Sequence, residues 1–177
     1  MPDFYVSEPM ATVPPTYKSA AQQTIFETLT ALGIPFLRVD TGDGTTMEAC
    51  IPIGERLQNP VIKTVFVTNR QQTRFWLYVT DPALPFVTKD FCGALAIPRV
   101  SFASAEKLWE LTGVEVGATT ILSAILPQAE EVHLVMDRGV AESPFYACTD
   151  GTATCFLKLR TSDLLERFLA GKRVVLI

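Results

Sequence analysis

β-branched and aromatic side chains dominate the apolar stretch at residues 60–69, PVIKTVFVTN, and this pattern predicts a β-strand. Successive strand side chains point to opposite faces, so Lys63 shares one face with three valines. A lysine in that position either reaches past the strand end into solvent or holds its charge in a cleft where a ligand binds. The residues alone favour the solvent-reaching lysine. A turn-like NRQQ at 69–72 and a strand-like RFWLYVT at 74–80 complete a predicted hairpin.

Helix-capping signals mark the first half of the chain. A capping box at Ser19 opens a first helix, which Gly33 ends. A second capping box at Thr45 opens another helix. Pro52 lies inside that helical pattern and is expected to break or kink it, because an interior proline costs about 3 kcal/mol.

The second half alternates short helices with short strands. Ser104 is predicted to cap a helix that ends at Gly113, and Thr161 to cap the last helix, which ends at Gly171. The remaining predicted elements are a helix at 88–96 and strands at 36–39, 132–137, 145–148, 154–159 and, as an edge strand, 172–177. This order indicates a mixed α/β domain of α+β character at 17–177. Residues 1–16 are rich in proline and predict an extended or loosely docked arm.

Composition narrows the class of protein. The chain has 177 residues, 48% hydrophobic and 19% charged, which favours one folded domain over disorder. It shows no membrane-length apolar run and no secretory signal pattern, so a cytoplasmic protein without a membrane partner is expected. Its four cysteines lack CxxC spacing and are expected to be reduced thiols. A net charge of −4 means that any nucleic acid must be bound locally.

The candidate chemistry is limited by what the chain lacks. His133 is the only histidine and alternates with apolar residues, so it is interpreted as a structural strand residue. Without a second histidine, Ser-His-Asp, Cys-His and zinc sites are disfavoured. P-loop and GxGxxG motifs are absent. We therefore expect no metal and no cofactor.

A three-residue motif admits a sharper interpretation. Asp40, Thr41 and Gly42 form the DTG of aspartic proteases, which would require a homodimer because the chain has one copy. The alternative is a turn in which the aspartate side chain stabilises the following loop. A structural turn is favoured, and the protease ranks third among the hypotheses for function.

Four segments carry a resemblance that covers residues 19–169. KTVFVTNRQQTRFWLYV, SFASAEKL, GVEVGATT and KLRTSDLLERFL, in this order and spacing, resemble the YbaK and prolyl-tRNA synthetase editing-domain family, and most of all its free-standing Ala-tRNA(Pro) deacylase (PrdX-like) branch. The resemblance implies a mixed, barrel-like β-sheet surrounded by helices. It also implies hydrolysis of the ester in a mischarged tRNA without a cofactor. The implied partners are the tRNA acceptor end and a prolyl-tRNA synthetase, with a monomer or weak dimer as the oligomeric state.

The resemblance assigns roles to particular residues. Lys63 falls on the family's active-site lysine and is identified as the substrate anchor. Gly117 and Thr120 lie in the family's substrate loop and complete the expected catalytic set, with the loop backbone stabilising the oxyanion. The expected substrate-binding residues are Thr46, Thr64, Gly113, Ala118, Thr119 and Thr149.

The chain departs from the family at several polar positions. Thr64 and Ala153 replace asparagines, Thr41 and Thr149 replace histidines, and Ile121 replaces a loop proline. The first hypothesis is a trans-editing deacylase that acts on an Ala-tRNA(Pro)-like substrate, with a ribose hydroxyl of the substrate helping to activate water and the amino acid left open. The alternative is a non-catalytic relative that binds aminoacyl-tRNA ends, an amino acid or a synthetase.

Overall fold

Two β-sheets form the centre of the fold in residues 4–177, which a computed structural model describes. The strands are β1 (Phe36–Asp40), β2 (Lys63–Asn69), β3 (Phe75–Thr80), β4 (Val100–Phe102), β5 (His133–Met136), β6 (Phe145–Thr149), β7 (Cys155–Arg160) and β8 (Val174–Leu176). The helices are α1 (Ala20–Ala31), α2 (Met47–Leu57), α3 (Thr88–Leu95), α4 (Ala105–Thr112), α5 (Arg138–Glu142) and α6 (Thr161–Asp163). Two 3₁₀ turns, Ile121–Ile125 and Pro127–Ala129, lie between α4 and β5.

The sheets differ in strand direction and meet at one point. The larger has the order β4-β2-β3-β5-β8, in which β2 and β3 form the expected hairpin and β3, β5 and β8 run parallel. The smaller is antiparallel with the order β1-β7-β6. A bridge between Val61 and Ala147 links them, with the Ile62 N–H donating to the Ala147 carbonyl at 2.9 Å. The predicted mixed α/β fold with a barrel-like sheet is therefore confirmed.

The alternation along β2 places its two faces in different clusters of buried side chains. Phe66 packs with Leu77 into the main core, where α1 and the 3₁₀ turns cover the sheet. Val65 and Val67 face the other way and pack under α3. Because both faces of β2 are covered, β-branched and aromatic residues dominate this stretch on both sides of the strand.

Two expectations for α2 are wrong. The N-cap is Thr46, whose hydroxyl accepts from the Ala49 N–H at 3.1 Å, and not Thr45. The helix continues through Pro52 to Leu57 without the expected break. Because proline has no backbone N–H, one carbonyl in the preceding turn of α2 lacks its helical hydrogen bond. Burial of Ile53 and Leu57 on the other side of the helix offsets that loss.

The expected cap at Thr161 is also wrong. Thr161 is the first residue of α6, and its buried hydroxyl has no hydrogen-bond partner among residues 4–177. Its backbone N–H donates to the Pro144 carbonyl at 3.1 Å, which ties the start of the helix to the β6 side. After α6 the chain widens into a π-helical turn, Leu164–Phe168, closed by a Leu169 N–H to Leu164 carbonyl bond of 2.9 Å.

The N-terminal arm, residues 4–16, is extended and docks along β1. Met10 and Arg38 exchange both backbone hydrogen bonds at 2.8 Å. The buried Arg38 guanidinium donates to the carbonyls of Thr12 and Val13 and pairs with Asp40 at 2.7 Å. Residues 1–3 of the expected arm lie outside the described part of the chain.

Candidate active site

Lys63 begins β2 and lies directly opposite Thr80 on β3. It is half-buried, and its Nζ donates to the Leu84 carbonyl at 3.4 Å. None of the ion pairs found in residues 4–177 includes it. The ammonium is therefore held in place by its strand and by one neutral acceptor, with its charge not neutralised by a carboxylate.

An apolar cavity of about 580 Å³ lies beside the lysine strand. Met47 and Ile51 of α2 form one wall, while Val61, Pro82 and Ala83 form the other. Met47 and Ile51 are 52% and 62% exposed, far above the usual exposure of large apolar side chains. Glu48 and Glu55 lie at its rim, and Lys63, two residues after Val61, stands next to the cavity without lining it.

The glycine loop between α4 and the first 3₁₀ turn presses against the start of α2. Gly117 has a φ of +89°, and a Cβ placed there would lie 2.7 Å from Thr45 Cγ2. Only glycine permits both that dihedral and that approach. The loop is therefore packed against the residue two positions before Met47, which lines the apolar cavity.

The other loop residues have structural contacts. Ala118 is buried, and its N–H donates to the Glu115 carbonyl at 3.0 Å. Thr120 is fully buried, where its hydroxyl accepts from the Leu122 N–H at 3.2 Å and lies 3.7 Å from Cys148 Sγ. Thr119 is half-buried, and within residues 4–177 no hydrogen bond occupies its backbone N–H or that of Gly117.

Thr149 and the turn after β6 pack on the far side of the same loop. The Thr149 hydroxyl donates to the Thr152 carbonyl and accepts from the Gly151 N–H at 3.2 Å. A Cβ at Gly151 would lie 3.2 Å from Val114 Cγ1, so the turn lies directly against the glycine loop. The Thr149 hydroxyl is thus bonded within the turn that follows β6 and does not line the cavity.

Asp150 is a buried carboxyl that the sequence interpretation missed. Its Oδ2 accepts from Gln22 Nε2 at 2.7 Å, and its Oδ1 accepts from the Thr152 N–H at 3.0 Å and the Thr152 hydroxyl at 2.7 Å. Burial raises the pKa of Asp150 above its ordinary value. The Asp-Gly-Thr order directly after a strand is the signal of a tight turn that could have identified it.

β6 connects the lysine strand to the glycine loop through buried side chains. Tyr146 is fully buried near Thr64, and its hydroxyl forms no hydrogen bond of normal geometry within the described residues. Burial raises the pKa of the Cys148 thiol to about 12, so this cysteine stays protonated and is no nucleophile at neutral pH.

The expected site residues therefore divide into two groups. Thr46 caps α2 and Gly117 packs against the neighbouring Thr45, while Lys63 lies beside the apolar cavity that α2 lines. Gly113 lies elsewhere, since a Cβ there would meet Leu126 and Gln128 at 3.3 Å. The Asp40 carboxyl is paired with Arg38, which supports a structural role for the DTG turn.

Residues 4–177 contain no cluster of three His, Cys, Asp or Glu side chains suited to a metal ion. Within the same residues, every helix falls short of the length and apolar character that crossing a membrane requires.

Solved structures share this arrangement of two sheets and surrounding helices. The structure of hypothetical protein APE2540 superposes with a TM-score of 0.67 at 20% identity, covering 86% of this chain and 96% of that one. A protein described as a candidate trans-editing enzyme for prolyl tRNA synthetase superposes with a TM-score of 0.67 at 14% identity, covering 90% and 97%. The chain thus shares the fold of these two structures.

A family model for the aminoacyl-tRNA editing domain matches residues 41–166. The chain belongs to this family, as the resemblance in its sequence indicated. No curated protein matches its sequence.

Proposed function

We propose that this chain is an aminoacyl-tRNA deacylase that hydrolyses, in trans, the ester of a mischarged tRNA. The observation that carries the proposal is the position of the Lys63 ammonium, without an ion pair in residues 4–177, beside an apolar cavity lined by α2, the helix whose start packs against the glycine loop. A cation for the ribose-phosphate end and an apolar wall for a side chain are the two features that an aminoacyl ester requires.

Lys63 acts as the substrate anchor. An ammonium is a compact charge that holds a phosphate or a ribose oxygen, and charged hydrogen bonds of this kind contribute about 1.5–3 kcal/mol. Its hydrogen bond to Leu84 is long, 3.4 Å, and costs little to exchange for a substrate oxygen. Fixing the ester this way reduces the orientational freedom that hydrolysis must otherwise remove.

The glycine loop stabilises the oxyanion through its backbone. Ala118 is excluded as a donor because its N–H is bonded to Glu115 at 3.0 Å. The N–H groups of Gly117 and Thr119 carry no hydrogen bond within residues 4–177 and are the donors of this proposal. Donors fixed before the reaction stabilise developing negative charge without further reorganisation.

Water activation relies on the substrate in this proposal. The Cys148 thiol has a pKa of about 12, and Asp150 is fully buried in its own turn, so neither group can serve as a base at the cavity. A ribose hydroxyl beside the scissile ester supplies the proton relay instead. The chain contributes position and electrostatic stabilisation.

The cavity also bears on which amino acid is removed. Met47, Ile51 and Val61 give an apolar wall suited to an aliphatic side chain. Thr64 adds a methyl and removes an amide from the strand beside it. The substrate we propose is an Ala-tRNA(Pro)-like ester whose amino acid is aliphatic and need not be alanine, with prolyl-tRNA synthetase as a second partner.

The test is hydrolysis of a panel of mischarged tRNAs by the full chain. Lys63→Ala is expected to lower kcat/KM by about 10- to 100-fold, from the value of one charged contact. Lys89→Ala, at an exposed lysine on α3, is the matched control and is expected to keep full activity. Absence of hydrolysis across the panel, or full activity of Lys63→Ala, would refute the assignment.

A second candidate function is binding without turnover. The Thr149 hydroxyl is engaged within its own turn, so the position where the family carries a histidine offers no group to the cavity. In that case a non-hydrolysable aminoacyl-adenosine raises the Tm while the tRNA ester stays intact.

A further inference from the structure

A second cavity, of about 630 Å³, lies at the other end of the larger sheet from Lys63. It is found where β3, β5 and β8 begin. These strands are parallel, so their amino-terminal ends share one edge. Arg74 precedes β3, His133 opens β5 and Arg173 precedes β8, which brings three basic side chains to neighbouring positions. We call this cavity the Trp76 pocket.

Trp76 holds two planar groups in fixed orientations. It is 4% exposed and lies directly opposite His133 in the strand pairing. The Arg74 guanidinium carbon lies 5.0 Å from its ring centroid, and the His133 ring stacks on it at 5.5 Å with an angle of 25°. Arg74 and His133 are themselves exposed, so both planes are accessible to a ligand and already ordered.

The charges of the Trp76 pocket suit a ligand that is both anionic and hydrogen-bond donating. Arg74, Lys172 and Arg173 line it, and none of them takes part in the ion pairs found in residues 4–177. Glu130 and Glu131 line it too, leaving one net positive charge in a chain whose net charge is −4. A bare anion would gain little from this mixture, because the carboxylates oppose it.

We propose that the Trp76 pocket binds a nucleotide, with its phosphate on Arg74 and Arg173 and its base stacked on the His133 or Arg74 plane. Bases stack on aromatic and guanidinium planes without regard to sequence, because every base has a π-face. The two carboxylates accept hydrogen bonds from the exocyclic amino group of a base such as cytosine. The nucleotide has two sources, a free mononucleotide or a nucleotide of the bound tRNA, and the second rests on the proposed function.

The position of the pocket is compatible with the tRNA source. Lys63, Val65 and Val67 lie on one face of the sheet, and Val67 pairs with Trp76. Four residues along a strand span about 13 Å and two strand spacings about 10 Å, so His133 lies about 16 Å from Lys63 on this face. Because α3 covers Val65 and Val67 on this face, a single strand that joins the two positions passes around α3 and spans more than this distance.

The experiment uses the full chain and two intrinsic probes. His133 is the only histidine, so its imidazole NMR signals need no assignment. Burial lowers the pKa of His133, as do Arg74 and Arg173, while Glu131 raises it. A bound phosphate adds negative charge near the ring and is expected to raise this pKa. In a Trp109→Phe background, Trp76 is the only tryptophan and reports binding by its emission.

Cytidine 5′-monophosphate, inorganic phosphate and tRNA are titrated into this protein and into two matched double variants. Arg74→Gln with Arg173→Gln is expected to weaken CMP binding at least tenfold, and Arg138→Gln with Arg160→Gln, at exposed positions elsewhere, less than threefold. If the tRNA source is correct, the Arg74→Gln, Arg173→Gln variant also binds tRNA more weakly. The slope of the logarithm of the tRNA binding constant against the logarithm of the salt concentration then decreases in magnitude by about 1.

The outcomes separate the proposals. CMP binding that requires Arg74 and Arg173 supports the nucleotide site even if no mischarged tRNA is hydrolysed. Unchanged tRNA affinity beside lost CMP affinity assigns the site to a free nucleotide. Equal affinity for phosphate and CMP, or equal effects of the two double variants, would overturn the nucleotide proposal, and an unmoved His133 pKa would do the same.

Discussion

The contact between the glycine loop and α2 allows a quantitative test with three alanine substitutions. Gly117→Ala combines a positive φ of +89° with a Cβ 2.7 Å from Thr45 Cγ2 and 2.8 Å from Thr45 Cβ. Gly33→Ala has a positive φ of +64° and no atom within 4 Å of the new Cβ. Gly93→Ala has neither problem, since it lies in α3 with open space around it. The series therefore separates dihedral strain from steric clash.

The expected changes in free energy of unfolding follow from these differences. Alanine at a positive φ costs about 1–2 kcal/mol, which is the whole effect at Gly33. Overpacking adds about 1–3 kcal/mol at Gly117, for a total of about 2–5 kcal/mol. Gly93→Ala is expected to stabilise the chain by about 0.5–1 kcal/mol, because alanine is the better helix former.

Urea denaturation of the three variants measures the stability terms, and deacylation measures the consequence for the site. If Gly117→Ala relieves its clash by moving the loop about 1 Å, a loss of kcat of about 100-fold is expected. Gly33→Ala, destabilised but remote, should keep its kcat. Equal stability and equal kcat for Gly117→Ala and Gly33→Ala would refute the view that the loop is held against α2.

Two further predictions concern buried charges. Since burial raises the pKa of Asp150 above 3.8, the protonated form stabilises the fold fully below 3.8, and this contribution is lost as the pH rises through the higher pKa of the folded state. Urea midpoints of the wild type should therefore fall, relative to those of Asp150→Asn, as the pH rises above the ordinary pKa of an aspartate, and parallel curves would contradict this. Arg38→Ala should cost about 2–4 kcal/mol and make the arm sensitive to limited proteolysis, because it removes the buried partner of Asp40 and of two arm carbonyls. Arg56→Ala, which removes an exposed ion pair with Glu8 and a hydrogen bond to the Ser7 carbonyl, should change the free energy of unfolding by less than about 1 kcal/mol.

Elements with strong local signals could be predicted from the sequence. The β2–β3 hairpin follows from two stretches rich in β-branched and aromatic residues around a polar turn, and the helix after Ser104 follows from a cap and a closing glycine. The choice between Thr45 and Thr46 as cap could not be made this way. Both residues are threonines, and the contact between Thr45 and Gly117 that separates their roles joins residues far apart in the chain.

The only site residues that could be predicted from the sequence are those to which the family resemblance assigns a role. The sequence shows that Lys63 lies on an apolar strand face but not what its ammonium contacts. Its position beside the cavity depends on α2 and on Pro82, which are distant in sequence. Asp150 could not be recognised as buried, because its burial depends on Gln22 from α1. The stacking of Trp76 on His133 depends on β3 and β5 being parallel neighbours, which no local pattern encodes.

The docked arm has a consequence for how the protein behaves among copies of itself. β1 lies at the end of the smaller sheet, and its outer backbone groups at Arg38 and Asp40 are bonded to Met10 and Ser7. An edge strand with unpaired N–H and C=O groups is a template for strand addition by another chain. The arm occupies that template with its own backbone, and the buried Arg38 guanidinium fastens it there. The docked arm thus leaves the edge of β1 less available for pairing with a strand of a second copy.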